Sequence, residues 1–235
     1  MSRDDLPLFT FSGERVHPDR SGALWLPDHE TLVVSDLHFE KGSSFARRGI
    51  LLPPYDTRAT LAAVGALMNR FQPRRVISLG DSFHDLGAEA RMDEDDLCAL
   101  RDLTRQTDWV WILGNHDPEP PASLGGKAAI RITVGGLHFQ HEAAPIVQRG
   151  EVSGHFHPCA RISAEGRHLR RRCFIHDGRR LILPSMGAFT GGLNVLDPTI
   201  RTLFGDKVTV WALGRDRVFP IDARHLRPDQ QSLRA

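Results

Sequence analysis

Histidine, aspartate and asparagine side chains gather in five short polar segments of this 235-residue chain. Oxygen and imidazole ligands of this kind suit Mn²⁺, Fe or Zn²⁺ better than Ca²⁺. Two such ions, held about 3.5–4 Å apart by a bridging carboxylate, can activate a water and stabilise both oxygens of an in-line phosphoryl displacement. Five segments supply enough ligands for two ions. The segments are Ser35–His38, Gly80–Asp85, Gly114–Asp117, His138–Glu142 and Gly154–His157.

The polar segments follow apolar runs, which is where the strands of an α/β protein present ligand-binding residues. Asp36 comes after the run Thr31–Val34, and Asp81 comes after Val76–Leu79. Each segment alone is equally consistent with a turn or a helix cap. Because the five segments share this placement and hold seven of the twelve histidines, we expect them to converge at one edge of a sheet.

Strands and helices alternate in the first half of the chain. Pro53 and Pro54 break the chain, and Asp56 is expected to cap the helix that follows. The alternation predicts a parallel βαβ arrangement. Residues 40–52 are interpreted as a loop. The predicted strands are 31–34, 75–80 and 109–113. One predicted helix follows Asp56 and extends to about Phe71, and another follows the acidic residues 89–96.

The pattern changes after Ala128 to short alternating strands separated by glycine turns. Such runs without long helices predict antiparallel additions, as in a second sheet packed on the first. We expect one domain over residues 1–235, with an N-terminal hairpin over about 1–30 and a polar tail over about 224–235. The basic run of Arg167 and Arg170–Arg172 favours a solvated hairpin over a nucleic-acid patch.

The composition excludes several classes of protein. Apolar residues make up 40% and charged residues 25% of the chain, and no apolar run approaches the ~20 residues of a membrane span. The polar N-terminus lacks a signal peptide, so we expect a cytoplasmic location and no membrane partner. A net charge of +1 means that a nucleic-acid partner would need a local basic patch. Cys98, Cys159 and Cys173 are unpaired in the sequence pattern and are interpreted as small buried residues.

The five segments, in this order, resemble the motif series of the calcineurin-like metallophosphoesterases. The resemblance implies an α/β fold, a four-layer α/β/β/α sandwich in which two mixed sheets are flanked by helices. It also implies two divalent metal ions, with Mn²⁺ favoured and Fe or Zn²⁺ as alternatives. The first ion would be held by Asp36, His38 and His157, the second by Asn115, His141 and His155, and Asp81 would bridge them.

The same resemblance implies catalytic roles next to the metals. His116 would protonate the leaving oxygen or stabilise the phosphoryl transition state, with Asp117 orienting its ring. The nucleophile would be a metal-bridging hydroxide. His138 and His141 are three residues apart and face opposite sides of an extended strand. We assign His141 to the metals and leave His138 a packing or supporting role.

More of the chain, about residues 24 to 213, is similar to the bacterial ligase-associated DNA damage response endonucleases. This resemblance implies a manganese-dependent phosphodiesterase that cuts single-stranded DNA in DNA repair, in functional association with a DNA ligase and a helicase. Substrate contacts are expected from His84, Arg47, Arg48 and Thr190. The similar segments are Glu40–Ser44, Leu52–Thr57, Gly80–Asp85, Gly154–Pro158 and Leu183–Gly192.

Other functions remain open at this point. A nucleotide or cyclic-nucleotide phosphodiesterase would use identical chemistry on a small substrate, and a non-catalytic scaffold would keep the fold alone. The scaffold is disfavoured because His116 and every expected ligand are present. Gly80–Asp85 lacks the arginine that meets phosphate in the Ser/Thr protein phosphatases, which disfavours that class. The oligomeric state is left undetermined.

Overall fold

Two β-sheets pack face to face in the computed structural model, which describes residues 7–119, 122–164 and 166–229. The first sheet is antiparallel from β1 to β4 and parallel from β4 to β7. Its strands, in spatial order, are β1 (Phe9–Phe11), β2 (Glu14–Pro18), β3 (Leu24–Leu26), β4 (Thr31–Val34), β5 (Arg75–Leu79), β6 (Asp108–Ile112) and β7 (Lys127–Ala129).

The second sheet is also mixed. The pairs β9–β10 and β10–β13 are parallel, whereas β8–β9, β11–β12 and β12–β13 are antiparallel. Its central order is β14-β11-β12-β13-β10-β9-β8, with β15 beside β12, β16 beside β15 and β17 beside β11. The strands are β8 (Arg131–Val134), β9 (Leu137–Gln140), β10 (Glu151–Ser153), β11 (Pro158–Ala164), β12 (Arg167–His176), β13 (Arg180–Ile182), β14 (Leu193–Asn194), β15 (Thr209–Leu213), β16 (Val218–Ile221) and β17 (Leu226–Arg227).

Helices cover the outer faces of the two sheets unequally. The α2 and α3 helices bury a large apolar cluster against the first sheet, including Phe71, Leu100 and Trp109. Outside the second sheet, Ile200 of the four-residue helix α4 packs with strand residues such as Ile175. The helices are α1 (Lys41–Ala46), α2 (Asp56–Phe71), α3 (Glu94–Arg105) and α4 (Pro198–Arg201), with short 3₁₀ turns at Pro27–His29, Glu89–Arg91, Ala122–Leu124 and Ala223–His225.

The core between the sheets joins residues of both, such as Ile77 and Leu79 of β5 with Phe139 of β9 and Phe174 of β12. Alternating strand residues point to this core, since successive side chains leave a strand on opposite faces. The predicted α/β sandwich of two mixed sheets with helices outside is therefore confirmed.

Several local expectations are corrected by the structure. Residues 41–46 of the expected loop form α1, whose Gly42 N donates to Asp56 Oδ2 at 2.9 Å. Asp56 is thus not the cap of α2 but its first residue, and its carboxylate links α2 to α1. The second half contains parallel pairs where only antiparallel additions were expected, because β9, β10 and β13 run in one direction. Cys98 is exposed, unlike Cys159 and Cys173.

The two ends of the chain are partly structured. The N-terminal hairpin β1–β2 is followed by β3 in the same sheet, and residues 1–6 lie outside the described residues. The expected polar tail begins with a 3₁₀ turn and β17, which pairs with β11, while residues 230–235 lie outside the described residues. Within the described ranges, the helices are all too short or too polar to span a bilayer.

Candidate metal centre

The first sheet brings its polar segments together at one edge. Because β4, β5 and β6 are parallel neighbours, their carboxyl ends lie side by side. Asp36, Asp81 and Asn115 each follow one of these strands within three residues. From the second sheet, His141 follows β9 and His155 follows the parallel β10. The fold therefore brings the polar segments together, as expected.

Asp36, His38 and His157 form one group of ligand atoms that all lie within 4.8 Å of one another. The His157 Nε2 atom is 3.2 Å from Asp36 Oδ1 and 3.4 Å from His38 Nε2. The group joins two residues after β4 with the residue that precedes β11. Both sheets therefore contribute to it.

Asp81, His141 and His155 form a second group of the same kind. The His141 Nε2 atom is 3.4 Å from Asp81 Oδ1, 3.2 Å from His155 Nδ1 and 2.9 Å from Asn115 Oδ1. The other oxygen of Asp81, Oδ2, is 3.9 Å from His38 Nε2. Asp81 thus faces both groups, and its role as a bridging carboxylate stays a prediction.

Five of the seven ligand candidates have a left-handed backbone conformation, which side-chain-bearing residues rarely adopt. Such conformations persist where the surrounding structure enforces them, and they concentrate at functional sites. Here Asp36 N donates to Gly80 O at 3.3 Å and His38 N donates to Asp81 O at 2.9 Å, so the loops after β4 and β5 hold each other. The φ angles are 51° at Asp36, 46° at His38, 47° at Asp81, 66° at His155 and 46° at His157.

Two glycines allow the sheets to approach at the site. A Cβ atom at Gly154 would overlap the side chains of Ser35 and Asp36, and one at Gly80 would overlap the ring of His141. Gly80 also has a φ of 79°. These contacts lie between an element of one sheet and an element of the other. A side chain at either position would push the candidate ligands apart.

The electrostatics of the groups suit a bound cation. Burial opposes the charge of Asp36 and Asp81, but hydrogen bonds and charges from the surrounding histidines outweigh it and lower the pKa of both carboxyls. Burial lowers the pKa of His38 to about 3, so this ring is neutral and offers a lone pair. Burial also acts against the charge of His141, but the hydrogen bond to Asp81 raises its pKa to about 9, so this ring holds a proton that a bound ion would displace.

The donor set fits divalent metal ions. Imidazole nitrogens approach each other at 3.4 Å between His38 and His157 and at 3.2 Å between His141 and His155. In addition, His38 Nδ1 is buried without a hydrogen-bond partner in the described part of the chain. Crowded nitrogens beside ionised carboxylates need a shared cation or protons. Ions bound by these residues would satisfy both the charges and the lone pairs.

His116 lies beside Asp81 and its ring is positioned by a backbone atom. His116 N donates to Asp81 Oδ1 at 2.9 Å, and the ring Nδ1 is 2.8 Å from His84 O. The expected orienting role of Asp117 is wrong, because its carboxylate accepts from Ser82 N at 2.7 Å and from Gly114 N at 3.1 Å. Asp117 instead ties the loops after β5 and β6 together.

Three of the four expected substrate contacts line one cavity, and the fourth is buried elsewhere. Arg47, Arg48 and His84 line an open cavity of about 620 Å³ together with Asn115 and His116. The His84 ring stacks on the His116 ring, with centroids 5.2 Å apart and planes inclined by 20°. This arrangement brings the three residues to the rim of the metal centre.

Thr190 does not face this cavity. Its side chain is buried, and its hydroxyl donates to Gly187 O at 2.6 Å and accepts from Ser185 Oγ at 2.7 Å. The expected substrate contact is therefore corrected: the hydroxyl holds the glycine loop together. His138 also lies elsewhere, because its two ring nitrogens bond to Thr133 Oγ1 and the Gln148 side chain.

Arg172 supports the site in a way that the sequence analysis missed. Its guanidinium donates to Ser185 O at 2.9 Å and to Gly187 O at 3.2 Å. Gly187 N in turn donates to Asp36 O at 3.1 Å. The basic run that contains Arg172 is expected to form a solvated hairpin. The spacing of two residues between Arg172 and the buried Phe174 indicates instead that the Arg172 side chain points inward.

Comparisons with known proteins agree with this geometry. A family model described as calcineurin-like phosphoesterase matches residues 29–196, more than half of the chain. Among solved structures, the chain is similar to the crystal structure of the Pseudomonas putida nuclease MPE, with 25% identity, a TM-score of 0.72, and coverage of 92% of this chain and 100% of that one.

A second solved structure, the phosphoesterase Yfce from E. coli, is 15% identical over 81% of this chain and 97% of its own, with a TM-score of 0.40. That similarity is too low to carry an argument. None of the curated proteins matches the chain. The family match nevertheless extends from β4 to beyond β14 and includes the whole candidate metal centre. The chain belongs to the calcineurin-like phosphoesterase family, which uses divalent metal ions, and is a metal-dependent phosphoesterase.

Proposed function

We propose that the protein is a two-metal phosphodiesterase that hydrolyses single-stranded DNA. The observation that carries the proposal is the position of Asp81, whose two oxygens face two complete groups of ligand candidates. Similarity to a nuclease over the full length of that chain supports a nucleic acid as the substrate, and the resemblance to ligase-associated endonucleases favours DNA. The resemblance to ligase-associated endonucleases supports a role in DNA repair, in functional association with a ligase and a helicase. We propose a cytoplasmic location for this role.

Two ions, with Mn²⁺ proposed and Fe or Zn²⁺ as alternatives, fit the mixed carboxylate, amide and imidazole donors. When bound, the ions would lower the pKa of a water and withdraw charge from the phosphoryl oxygens. The protein's contribution is to fix the donors and to keep the carboxylates ionised. The proposed ligands are Asp36, His38 and His157 for one ion, Asn115, His141 and His155 for the other, and Asp81 for both.

The shape of the site supports a polymeric substrate. The 620 Å³ cavity is lined by Arg47 and Arg48, and a second cavity of about 370 Å³ is lined by Arg131. Asn115 lines both. A nucleic-acid strand extends in both directions from the phosphate that is cut, and arginines bind its neighbouring phosphates. A small diester would leave one of the two cavities without a role.

His116 is the proposed general acid. A backbone carbonyl can only accept a hydrogen bond, so the contact with His84 O fixes the hydrogen of the His116 ring on Nδ1. Nε2, which is 4.0 Å from Asp81 Oδ2, is then the nitrogen that exchanges a proton at the site. In the protonated ring, Nε2 donates its proton to the leaving oxygen of the cut strand.

A substrate panel with Mn²⁺, Mg²⁺ and Zn²⁺ tests this proposal. The panel contains a single-stranded oligonucleotide, a duplex, a cyclic nucleotide and a p-nitrophenyl diester. We expect His116→Ala to reduce cleavage of the oligonucleotide by about 10²–10⁴-fold. The same variant should lose much less activity on the p-nitrophenyl diester, because that leaving oxygen is a weak base and needs little protonation.

His138→Ala is the matched control, since His138 is bonded to Thr133 and Gln148 away from the metal centre. We expect its activity to stay within about twofold of the wild type. Rapid hydrolysis of the cyclic nucleotide without cleavage of DNA would replace the proposal by a small-molecule phosphodiesterase. Metal binding without turnover of any substrate would favour a scaffold.

A further inference from the structure

Three arginines stand in a row across three adjacent strands. In the register of the sheet, Arg161 of β11 pairs with Arg170 of β12 on one side and with Arg227 of β17 on the other. Side chains that pair directly across antiparallel strands lie on the same face, and like charges in this arrangement destabilise the sheet. We call these three residues the arginine row. A local cost of this kind marks a place where function outweighs stability.

The arginine row has little compensation from acidic groups. Asp229 Oδ2 is 3.5 Å from Arg170 Nη2, and its other oxygen accepts from Asn194 Nδ2 at 3.1 Å. Arg161 and Arg227 bond to backbone carbonyl oxygens. Each guanidinium has five N–H donors, so each retains donors for a ligand. The chain as a whole has a net charge of only +1, so the row is a local concentration of positive charge.

The arginine row lies on one face of the β11–β12 hairpin, and this face leads to the metal centre. Side chains alternate along β12, so Arg170 and Arg172 share a face with Phe174, which is buried between the two sheets. Arg170 donates to Gly192 O, and Arg172 donates to Gly187 O. Both carbonyls belong to the glycine loop that contacts the backbone of the metal-centre residues.

The arginine row lies close enough to the metal centre for one continuous DNA strand to contact both. β11 begins at the residue after His157, and Arg161 lies four residues beyond His157, or ~13 Å along an extended chain. A DNA strand with one phosphodiester in the metal centre therefore reaches the arginine row a few nucleotides from that phosphodiester. Arginine binds phosphate through paired N–H groups, and rows of basic side chains follow a nucleic-acid backbone.

We propose that the arginine row binds the phosphate backbone of single-stranded DNA beyond the bond that is cut. This inference rests on the proposed function and extends it, because it assigns part of the affinity to a surface outside the metal centre. Binding at the row depends on the length of the strand. Short substrates that end within the metal centre do not reach it.

The test compares wild type with Arg161→Gln/Arg170→Gln/Arg227→Gln on a long oligonucleotide, a dinucleotide and a p-nitrophenyl diester. We expect the variant's Kd for the long oligonucleotide to rise about tenfold or more, and the slope of log K against log[salt] to fall by about 2, at ~0.7 per contact with a single strand. Dinucleotide and diester hydrolysis should show no comparable change. The double variant Arg161→Gln/Arg227→Gln keeps the Arg170–Gly192 bond and should lower the slope by about 1.4.

The matched control is Arg74→Gln/Arg101→Gln/Arg105→Gln, which removes the same charge from α3 and from the loop that precedes β5. If this control weakens binding of the long oligonucleotide as much as the row variants do, the effect is one of overall charge and the inference is overturned. Equal Kd values for the row variants and wild type would also overturn it while leaving the proposed function intact. If wild type hydrolyses the diester but neither binds nor cuts DNA, both proposals fall.

Discussion

The two sheets contribute different side chains to the candidate metal centre. The first sheet provides the carboxylates, Asp36 and Asp81, at the ends of parallel strands, whereas the second provides the imidazoles of His141, His155 and His157. Each group of ligand candidates contains a carboxylate from one sheet and an imidazole from the other. Neither sheet alone holds a complete group, so the packing of the two sheets is itself a requirement for the site.

The sheets are also stabilised differently. The first is covered by α2 and α3 over a large apolar cluster. The second has the four-residue α4 on its outer face and a buried ion pair, in which Arg180 Nε donates to Glu151 Oε1 at 2.6 Å. Arg180 also donates to Leu203 O at 2.7 Å. The second sheet therefore depends on a charged interaction that is fully removed from water.

The largest expected effect on stability is at this ion pair. Arg180→Gln leaves the buried Glu151 carboxylate without its partner, and we expect the free energy of unfolding to fall by about 3–5 kcal/mol in chemical denaturation. Arg58→Gln is the matched control on α2, where the arginine is exposed and its ion pair with Asp96 is screened by water. Similar losses of unfolding free energy in the two variants would contradict the view that the second sheet depends more on its ion pair than the first.

The next effect concerns the contact between the sheets. In Gly154→Ala the new Cβ would overlap Ser35 and Asp36, and the resulting displacement of the ligands should reduce phosphodiester hydrolysis by about 10²-fold. Gly205→Ala is the control, because its Cβ would meet Asp177 Oδ2 at an ordinary 4.0 Å. If Gly154→Ala keeps full activity, close approach of the sheets is not needed for the site.

The positions of the candidate metal ligands could be predicted because an apolar run in the sequence shows where a strand ends. The apolar run before Asp36 defines β4, and the run before Asp81 defines β5, so their neighbours in sequence had to lie at the edge of the sheet. Strand alternation allows only one of His138 and His141 to face the metals, and His141 is the expected one because it ends the strand and precedes Glu142. The parallel pairs β9–β10 and β10–β13 were missed because their strands have three or four residues, too few to show a direction or a partner.

Contacts made through backbone atoms could not be predicted from side-chain patterns. The carbonyl of His84 orients the His116 ring, while Asp117 accepts from backbone N–H groups. Thr190 lies in a glycine-rich loop, where a substrate contact was expected. Its hydroxyl instead donates a hydrogen bond to Gly187 O within the loop. Arg172 belongs to a charged run in the sequence, and its hydrogen bonds to Ser185 O and Gly187 O follow only from the folded chain.

The most direct test of a centre shared by both sheets is the number of manganese ions that each chain retains. Metal content would be measured after equilibration with Mn²⁺ and gel filtration, with circular dichroism to verify folding. We expect about two ions per chain in wild type, about one in His157→Ala and fewer than one in Asp81→Asn, because Asp81 faces both groups. Retention of two ions by folded Asp81→Asn would contradict the account.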